Sequence, residues 1–270
     1  MRKRFSFSLI AGIVLTGLIV LLSLISVFYT PYDGEAMDLM NRFSLPSAEH
    51  LLGTDHFGRD ILSRVMDACR RALSGGLFSV TLGSLLGIML GLAASLSGRK
   101  TRELLMRFTD ALAAFPTILM ALMLAAALGR GLLPSVAAIC IYMIPSFSRL
   151  TLSMADEARS RLYIKAAVSY NVPSGRLILF HLLPPLLSRL LTQFTSSIGS
   201  AVLLESSLSF LGLGIQPPSS SLGMMLSEAR NYILTHPYQA VPSGVVLMIM
   251  LLGFNLLGDG INNMFGARHA

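Results

Sequence analysis

Six long apolar segments, separated by shorter polar stretches, are the feature of this sequence that most restricts its fold. They lie near residues 8–29, 72–98, 104–129, 132–154, 186–214 and 240–258. An α-helix rises about 1.5 Å per residue, so about 20 apolar residues cross roughly 30 Å of hydrocarbon. The sequence therefore predicts an all-α membrane protein with six transmembrane helices.

The composition excludes an ordinary soluble domain. Of the 270 residues, 53% are hydrophobic and only 13% are charged, and a soluble chain carries about twice that share of charge. The net charge of +7 comes from short basic clusters between apolar runs, without the basic face that nucleic-acid binding requires. The two cysteines, Cys69 and Cys140, show no metal or disulfide spacing and are predicted to be small packing residues.

The distribution of Lys and Arg predicts the orientation. The first apolar segment follows MRKRF but is longer than a signal peptide's and lacks a cleavage site, so we interpret it as a retained anchor. With the N-terminus inside, the inner segments hold 14 of the 21 basic residues. Because Lys and Arg collect on the cytoplasmic side, both termini are predicted to be cytoplasmic, which an even number of spans requires.

Proline and small residues occur inside the predicted spans. Pro116, Pro145 and Pro242 fall within three of them, and another contains SGGLFSVTLGSLLGIMLG. Proline removes a backbone donor and kinks a helix, whereas small residues allow helices to approach closely. This pattern predicts a bundle with kinked helices and Gly/Ser-rich packing.

Two polar stretches, residues 30–71 and 215–239, are predicted to lie outside. The first contains HLLGTDHFGRDILSR, in which Thr54 or Asp55 could cap a turn and Gly58 permits a positive φ. Arg59 and Asp60 are placed for charge-assisted hydrogen bonds. These five residues predict a local clasp, a docking surface for an external partner, or both. We divide the chain into an anchor and outer loop, residues 1–71, and a transmembrane domain, residues 72–270.

No catalytic or nucleotide-binding motif is present in the sequence. None of the five histidines begins an HExxH zinc motif, and none of the three lysines follows a glycine as in a phosphate-binding loop. His50 and His56 lie six residues apart but lack Cys or carboxylate partners at ligand spacing. We therefore predict a protein that is not an enzyme, with no metal site and no cofactor of its own.

Two acidic residues fall within predicted spans, where an uncompensated charge costs at least about 2.5 kcal/mol. Asp110 lies near the inner end of its span and could reach Arg107 or lipid headgroups. Glu205 lies deeper, beside Ser206 and Ser209 in VLLESSLSFLGLG. Glu205 and these serines either line a translocation pathway or form a buried structural hydrogen-bonding group.

The longest predicted inner loop, about residues 155–185, contains YIKAAVSYNVPSGRLILFHLLP. Its pattern predicts a helix from Tyr163 to Tyr170 that ends at Asn171, because Asn tolerates the left-handed conformation and Pro173 prevents continuation. A second short helix follows from Arg176 to Leu183, before Pro184 opens the next span. Two helices joined by a sharp turn form a rigid lever facing the cytosol.

This loop is similar to the signature of ABC importer permeases, which reads Glu-Ala-Ala, three residues, Gly, nine residues, Ile, one residue and Leu-Pro. In this chain, Lys stands at the Glu position, Asn stands at the Gly position and His stands at the Ile position. Further stretches, GTDHFGRDILSR, MRFTDALAAFPTILMAL, ESSLSFLGLGIQPP and FNLLGDGINN, resemble the peptide and nickel group of these permeases. The positions of the signature are taken in order by Lys165, Ala166, Ala167, Asn171, His181, Leu183 and Pro184.

The resemblance implies a multi-pass subunit in the bacterial cytoplasmic membrane, with lipid around it. It would pair with a second, homologous permease subunit and receive solute from an extracytoplasmic binding protein that contacts Thr54, Asp55, Gly58, Arg59 and Asp60. Two cytoplasmic ATPase subunits would bind the ATP. The residues implied in ATPase coupling are Tyr163, Lys165, Ala166, Ala167, Asn171, Pro173, Gly175, His181 and Pro184.

The outer loops favour nickel or a metal chelate as the substrate, with di- or oligopeptides as the alternative. Two other classes remain open. An intramembrane protease would need a Ser-His or paired-Asp arrangement, and Asp110 has no acidic partner at matching depth. A channel or secondary transporter not coupled to ATP would not need a cytoplasmic lever.

Overall fold

The computed structural model describes residues 7–170 and 172–266. Within these ranges the chain is almost entirely helical, and an isolated bridge between Thr54 and Asp60 is its one β-type pairing. Short 3₁₀ turns occur at Leu39–Asn41 and Pro237–Gln239, and a π-helical segment at Leu177–Leu182. The α-helices are α1 (Phe7–Phe28), α2 (Ile61–Leu96), α3 (Arg99–Ala114), α4 (Thr117–Leu128), α5 (Leu132–Ser160), α6 (Leu162–Ser169), α7 (Ser174–Arg176), α8 (Leu183–Phe210), α9 (Leu222–Arg230) and α10 (Ala240–Gly266).

The helices agree with the predicted all-α membrane fold. Among the described residues, α1, α2, α5 and the stretch from Pro237 to Met264 are long and apolar enough to cross a membrane. A fifth candidate is the pair α3 and α4, which is bent by 86° at its break. The remaining predicted span, residues 186–214, corresponds to α8, which is 28 residues long and has Leu186, Leu190 and Ala201 buried in the bundle. The predicted count of six is consistent with this arrangement.

Several helix boundaries differ from the sequence prediction. The predicted boundary after residue 71 falls inside α2, which begins at Ile61 because the Asp60 carboxylate caps its first turn by accepting from the Ser63 backbone N–H. The first turns of α2 contain Arg64 and Arg70, and these charged residues make the sequence there resemble a loop. The helices α5 and α10 likewise continue past the predicted ends of their spans, residues 154 and 258. A helix can leave the membrane without ending, so an apolar run marks only part of it.

The prolines act differently from one another. Pro116 stands at the break between α3 and α4, as the kink prediction requires. Pro145 lies within an unbroken α5, and Pro242 occupies the first turn of α10. Proline is tolerated in a first turn because the N–H groups there have no helical acceptor.

Glycines allow α2 and α5 to pack in close contact. A Cβ atom at Gly83, Gly87 or Gly91 would lie 2.6 to 2.7 Å from a backbone carbonyl oxygen of α5, which is too close for any larger residue. The three glycines recur every four residues and therefore form one face of α2. The Gly-rich stretch thus forms the seam of the central helix pair.

A second close seam joins the first and last helices. A Cβ atom on Gly12 of α1 would lie 2.4 Å from the backbone nitrogen of Leu257, and one on Gly260 of α10 would lie 2.6 Å from Cα of Leu9. The helix α1, which belongs to the predicted segment of residues 1–71, is therefore packed into the same bundle as α10.

Candidate functional site

The predicted lever at the end of α5 consists of α6, a turn, and a continuous helical stretch through α7 and the π-helical segment into α8. Asn171, at which the first helix was predicted to end, lies outside the described residues. Ile164, Ala167, Leu177 and Leu182 are buried in the main apolar core. The lever is therefore packed onto α5 and α8, and it would move with them.

The other coupling candidates lie on the outer face of this segment. Tyr163, Lys165, Ala166, Pro173, Gly175 and Pro184 are exposed, and His181 is half-buried, with Nδ1 lying 3.4 Å from the Arg176 carbonyl oxygen. Ala166 and Ala167 thus differ, because the first faces outward and the second packs inside the chain. Four large apolar side chains are also uncovered here: Leu162, Tyr163, Tyr170 and Phe180 are 82%, 45%, 85% and 70% exposed.

The opposite end of the bundle contains the GTDHFGRD turn. Asp55 Oδ1 accepts hydrogen bonds from the backbone N–H groups of Phe57 and Arg59, at 2.8 and 3.0 Å. Gly58 has a φ of +75°, and a Cβ atom there would overlap the carbonyl oxygen of Asp38. The Thr54 hydroxyl accepts from the Ser44 backbone N–H at 2.9 Å. The turn is therefore folded by its own polar groups.

This turn is joined to the distant helix α9 by buried ion pairs. Arg59 Nε donates to Asp55 at 2.7 Å, and its Nη2 donates to Glu228 at 3.1 Å. Arg64 Nη1 donates to both carboxylates, at 3.0 Å to Glu228. The two arginines are 2% and 1% exposed. We call Asp55, Arg59, Arg64 and Glu228 the outer latch.

The electrostatics of the outer latch follow from burial and ion pairing. Burial acts to raise the pKa of Asp55, but Arg64, Arg59 and two backbone N–H groups outweigh it and hold that pKa below its usual 3.8. Burial lowers the pKa of the neighbouring His56 below 6.5, although Asp55 and Glu228 oppose the shift. At neutral pH the aspartate is charged and the imidazole is neutral.

Asp55, His56 and Glu228 also have the geometry of a metal-binding group, with ligand atoms within 4.8 Å of one another. The guanidinium groups of Arg59 and Arg64 already neutralise both carboxylates. A divalent cation would meet two buried positive charges at contact distance, which is strongly unfavourable in a site of low dielectric. The arginines therefore take the place that a metal ion would occupy.

Glu205 lies inside the bundle and is 0% exposed. The Ser209 hydroxyl donates to one carboxylate oxygen at 2.7 Å, and the Ser206 hydroxyl lies 3.5 Å from the other. Asp110, in contrast, is exposed and pairs with Arg149 at 2.8 Å rather than with Arg107. The Glu205 carboxylate is therefore closed off from solvent in this conformation.

The sequence analysis missed two participants, Arg64 and Glu228. Both lie in the two predicted outer stretches, residues 30–71 and 215–239, but neither was singled out, because their pairing spans 164 residues. The sequence signal that could have indicated this pairing was the presence of charged residues in both outer stretches. Since no spacing rule connects them, only the fold brings them together.

The described residues form a helical bundle with several membrane-length helices and a short helical segment packed at one end. The sequence profile of the family described as the binding-protein-dependent transport system inner membrane component matches residues 83–269. The chain belongs to this family, and it is a permease subunit of an ABC importer.

Similar proteins have several named substrates. The chain is 37% identical over 254 residues to the dipeptide transport system permease of Alkalihalophilus pseudofirmus, covering 94% of this chain and 84% of that one. It is 37% identical to the glutathione transport system permease of Pectobacterium atrosepticum, covering 93% and 85%. It is 34% identical to the nickel transport system permease of Escherichia coli K12, covering 93% and 91%.

The fold also matches a solved structure. The chain aligns with a methionine ABC transporter solved in inward-facing conformations, with a TM-score of 0.61 at 15% identity, over 76% of this chain and 95% of that one. At this level of identity the match concerns the fold alone.

Proposed function

We propose that this permease works in an ATP-driven importer in which residues 162–184, the coupling segment, dock on a cytoplasmic ATPase subunit. The observation that carries the proposal is the exposure of Leu162, Tyr163, Tyr170 and Phe180 on that segment. Large exposed apolar groups rimmed by polar ones mark protein contact sites. Lys165 and Arg176 lie on the same exposed surface and provide its polar rim.

The packing of the coupling segment supports a mechanical role. Because Ile164 and Ala167 are buried against the core and the π-helical segment continues into α8, a displacement of the docked surface moves α5 and α8 with it. ATP held by the partner subunits would thereby shift the bundle between two packings, one open to each side. A second permease subunit would complete the pathway.

The outer face, in this proposal, receives solute from an extracytoplasmic binding protein. Thr54, Asp55, Arg59 and Asp60 are buried, so they shape the outer surface instead of contacting a partner directly. Met40 and Leu234, at 94% and 95% exposure, are among the apolar groups that this end presents.

Site-directed labelling tests the orientation. With Cys69 and Cys140 replaced by alanine, a membrane-impermeant thiol reagent should modify Ser47→Cys in intact cells and Gly175→Cys only after the membrane is opened. Both positions are exposed. Labelling of Gly175→Cys from outside would contradict a cytoplasmic coupling segment.

We propose that the substrate is either a nickel ion or chelate or a small peptide. The relatives named for dipeptide and glutathione transport support the peptide, and the nickel relative and the outer loops support the metal. Uptake of labelled nickel and of a labelled dipeptide, in cells with and without the chain, separates the two. Uptake of either that persists without the ATPase subunits would instead indicate a channel or secondary transporter.

A further inference from the structure

A cavity of about 470 Å³ lies at the coupling-segment end of the bundle, where α2 ends and α3 begins beside the last turn of α5. Its lining combines three arginines and one acid with two hydroxyls and a methionine: Arg99, Arg102, Arg159, Glu103, Ser95, Ser97 and Met106. Among the described residues, Arg99 pairs with Glu103 at 2.9 Å and Arg102 pairs with Asp156 at 2.6 Å, which leaves the third guanidinium of the lining as a net positive charge that attracts anions.

Two of these guanidinium groups are held in place. Arg102 Nη2 donates to Asp156 at 2.6 Å, and Arg159 Nη1 donates to the backbone carbonyl oxygen of Ser95. Throughout the described part of the chain, no carboxylate lies within ion-pair distance of Arg159. The charge of Arg159 is therefore fixed in position and has no acidic counterpart, which prepares it for an anionic ligand.

The start of α3 adds backbone donors to the same cavity. Gly98 supplies no side-chain cap, and the first helical hydrogen bond runs from the Arg102 N–H to the Gly98 carbonyl oxygen at 3.0 Å. The N–H groups of the first three residues of α3 consequently have no helical acceptor. In a helix of 16 residues they carry partial positive charge that favours a phosphate.

The rest of α3 indicates where this anion is located. The helix turns 86° away from α4, and Thr109 is its one fully buried residue. Leu104 and Phe108 are 68% and 53% exposed on the same helix as the exposed Arg107. An amphipathic helix with basic residues and uncovered apolar ones suits the boundary between lipid headgroups and acyl chains. This favours a lipid over an acidic protein surface.

We propose that the cavity binds the phosphate of an anionic phospholipid of the inner leaflet, with phosphatidylglycerol as the test ligand. Arg99, Arg102, Arg159 and the start of α3 contact the phosphate, and the acyl chains follow the apolar side of α3. The inference rests on the proposed orientation, in which this end of the bundle faces the cytosol.

Lipid retention on the purified full transporter tests the proposal. The complex is incubated in detergent with phosphatidylglycerol or with phosphatidylcholine of the same chain length, and bound lipid is counted by native mass spectrometry. The double variant Arg99→Gln/Arg159→Gln is compared with Arg107→Gln, which removes one charge from α3 outside the cavity. Each basic residue near an anionic lipid contributes roughly five-fold in affinity, so the double variant should bind phosphatidylglycerol about 30-fold more weakly.

The expected result is preferential retention of phosphatidylglycerol by the wild type and by Arg107→Gln, and its loss from the double variant. Equal retention of the two lipids, or equal loss from both variants, would overturn the proposal. So would release of the lipid by excess inorganic phosphate, which would identify a free-phosphate site. Loss of ATPase subunits from the double variant with its lipid retained would identify a protein contact. The proposed function is tested separately by the labelling and uptake assays, so its failure would be distinguishable from failure of the lipid proposal.

Discussion

The two ends of the bundle are stabilised by opposite kinds of interaction. At the outer end, the latch joins three buried charged groups and the half-buried Glu228, which neutralise one another within the subunit. At the inner end, the coupling segment is held by small apolar contacts through Ile164, Ala167 and Leu182, and it leaves Tyr170 and Phe180 uncovered. The charged groups of the outer latch find their partners within the subunit, whereas the coupling segment leaves large apolar side chains without one among the described residues.

The difference shows how one subunit can be rigid and responsive at once. Buried ion pairs are costly to separate singly, so they fix the geometry of the outer loop relative to α9. Apolar contacts are less directional, which allows a docked surface to slide while it stays packed. Substitutions at the two ends should therefore fail in different ways: the outer ones in folding, the inner ones in assembly.

The largest expected effect is on the outer latch. Arg64→Met keeps most of the side-chain volume but leaves Asp55 and Glu228 with a single guanidinium between them. Breaking a buried pair in this way costs about 3 to 5 kcal/mol. We expect a lower melting temperature of the purified permease and faster hydrogen exchange in residues 50–64.

Arg70→Met provides the matched control, because Arg70 is in the same helix but pairs with Asp67 at 41% exposure. Exposed pairs contribute about 1 kcal/mol at most. Equal destabilisation by both variants would show that the outer latch has no special role.

The coupling segment should show an effect on assembly without an effect on folding. Tyr170→Ala and Phe180→Ala remove exposed apolar surface, and interface hot spots of this type contribute about 2 kcal/mol, or roughly 30-fold in affinity. We expect weaker retention of ATPase subunits on purification, with a normal amount of permease in the membrane.

Leu234→Ala removes an equally exposed apolar side chain from the outer end and should leave ATPase retention unchanged. Two neighbouring variants separate an effect on folding from an effect on assembly. Ala167→Glu adds a charge to a buried contact and should lower the stability of the permease. Ala166→Glu changes the exposed surface alone and should lower only the binding of the ATPase. If Ala166→Glu and the two aromatic variants all bind the ATPase normally, the proposed docking surface is wrong.

A smaller effect is expected from pH at the outer end. Because burial lowers the pKa of His56 below 6.5, the unfolded loop binds a proton more readily than the folded one. His56 therefore contributes stability above about pH 6.5, and that contribution is lost as the pH falls through the lowered pKa. Asp55, with a pKa below 3.8, stays charged across this range.

Hydrogen exchange of residues 50–64, compared at about pH 7.5 and about pH 5.5 after correction for intrinsic rates, measures this loosening. His56→Gln should remove most of the difference between the two conditions. A pH response that survives the substitution would locate the titrating group elsewhere.

The smallest effect is predicted for Glu205→Gln. The carboxyl group is fully buried and accepts from Ser209, and an amide retains both the volume and that acceptor. We expect stability within about 1 kcal/mol of the wild type and nearly unchanged uptake. Lost uptake with normal assembly would instead place Glu205 in the translocation pathway.

The sequence was sufficient to predict the helices and the lever, and insufficient to predict the latch. Apolar runs identify spans because length and hydropathy are local properties, and YIKAAVSYNVPSG contains its own turn residues. The predicted boundary after residue 71 misses the start of α2 at Ile61, because polar helical turns outside the membrane resemble a loop. The pairing of Arg64 with Glu228 depends on where α9 folds back, which no local pattern encodes.

The close seam between α1 and α10 has a consequence for biogenesis. The surface around Gly12 is synthesised before its partner around Gly260, which emerges only after the helices between them. Throughout translation, α1 must therefore remain in the membrane with its small-residue face unmatched, since the helix that covers it does not yet exist. A ribosome that stops before α10 leaves an inserted but unclosed bundle, and such a chain should be a preferred target for membrane quality-control proteases.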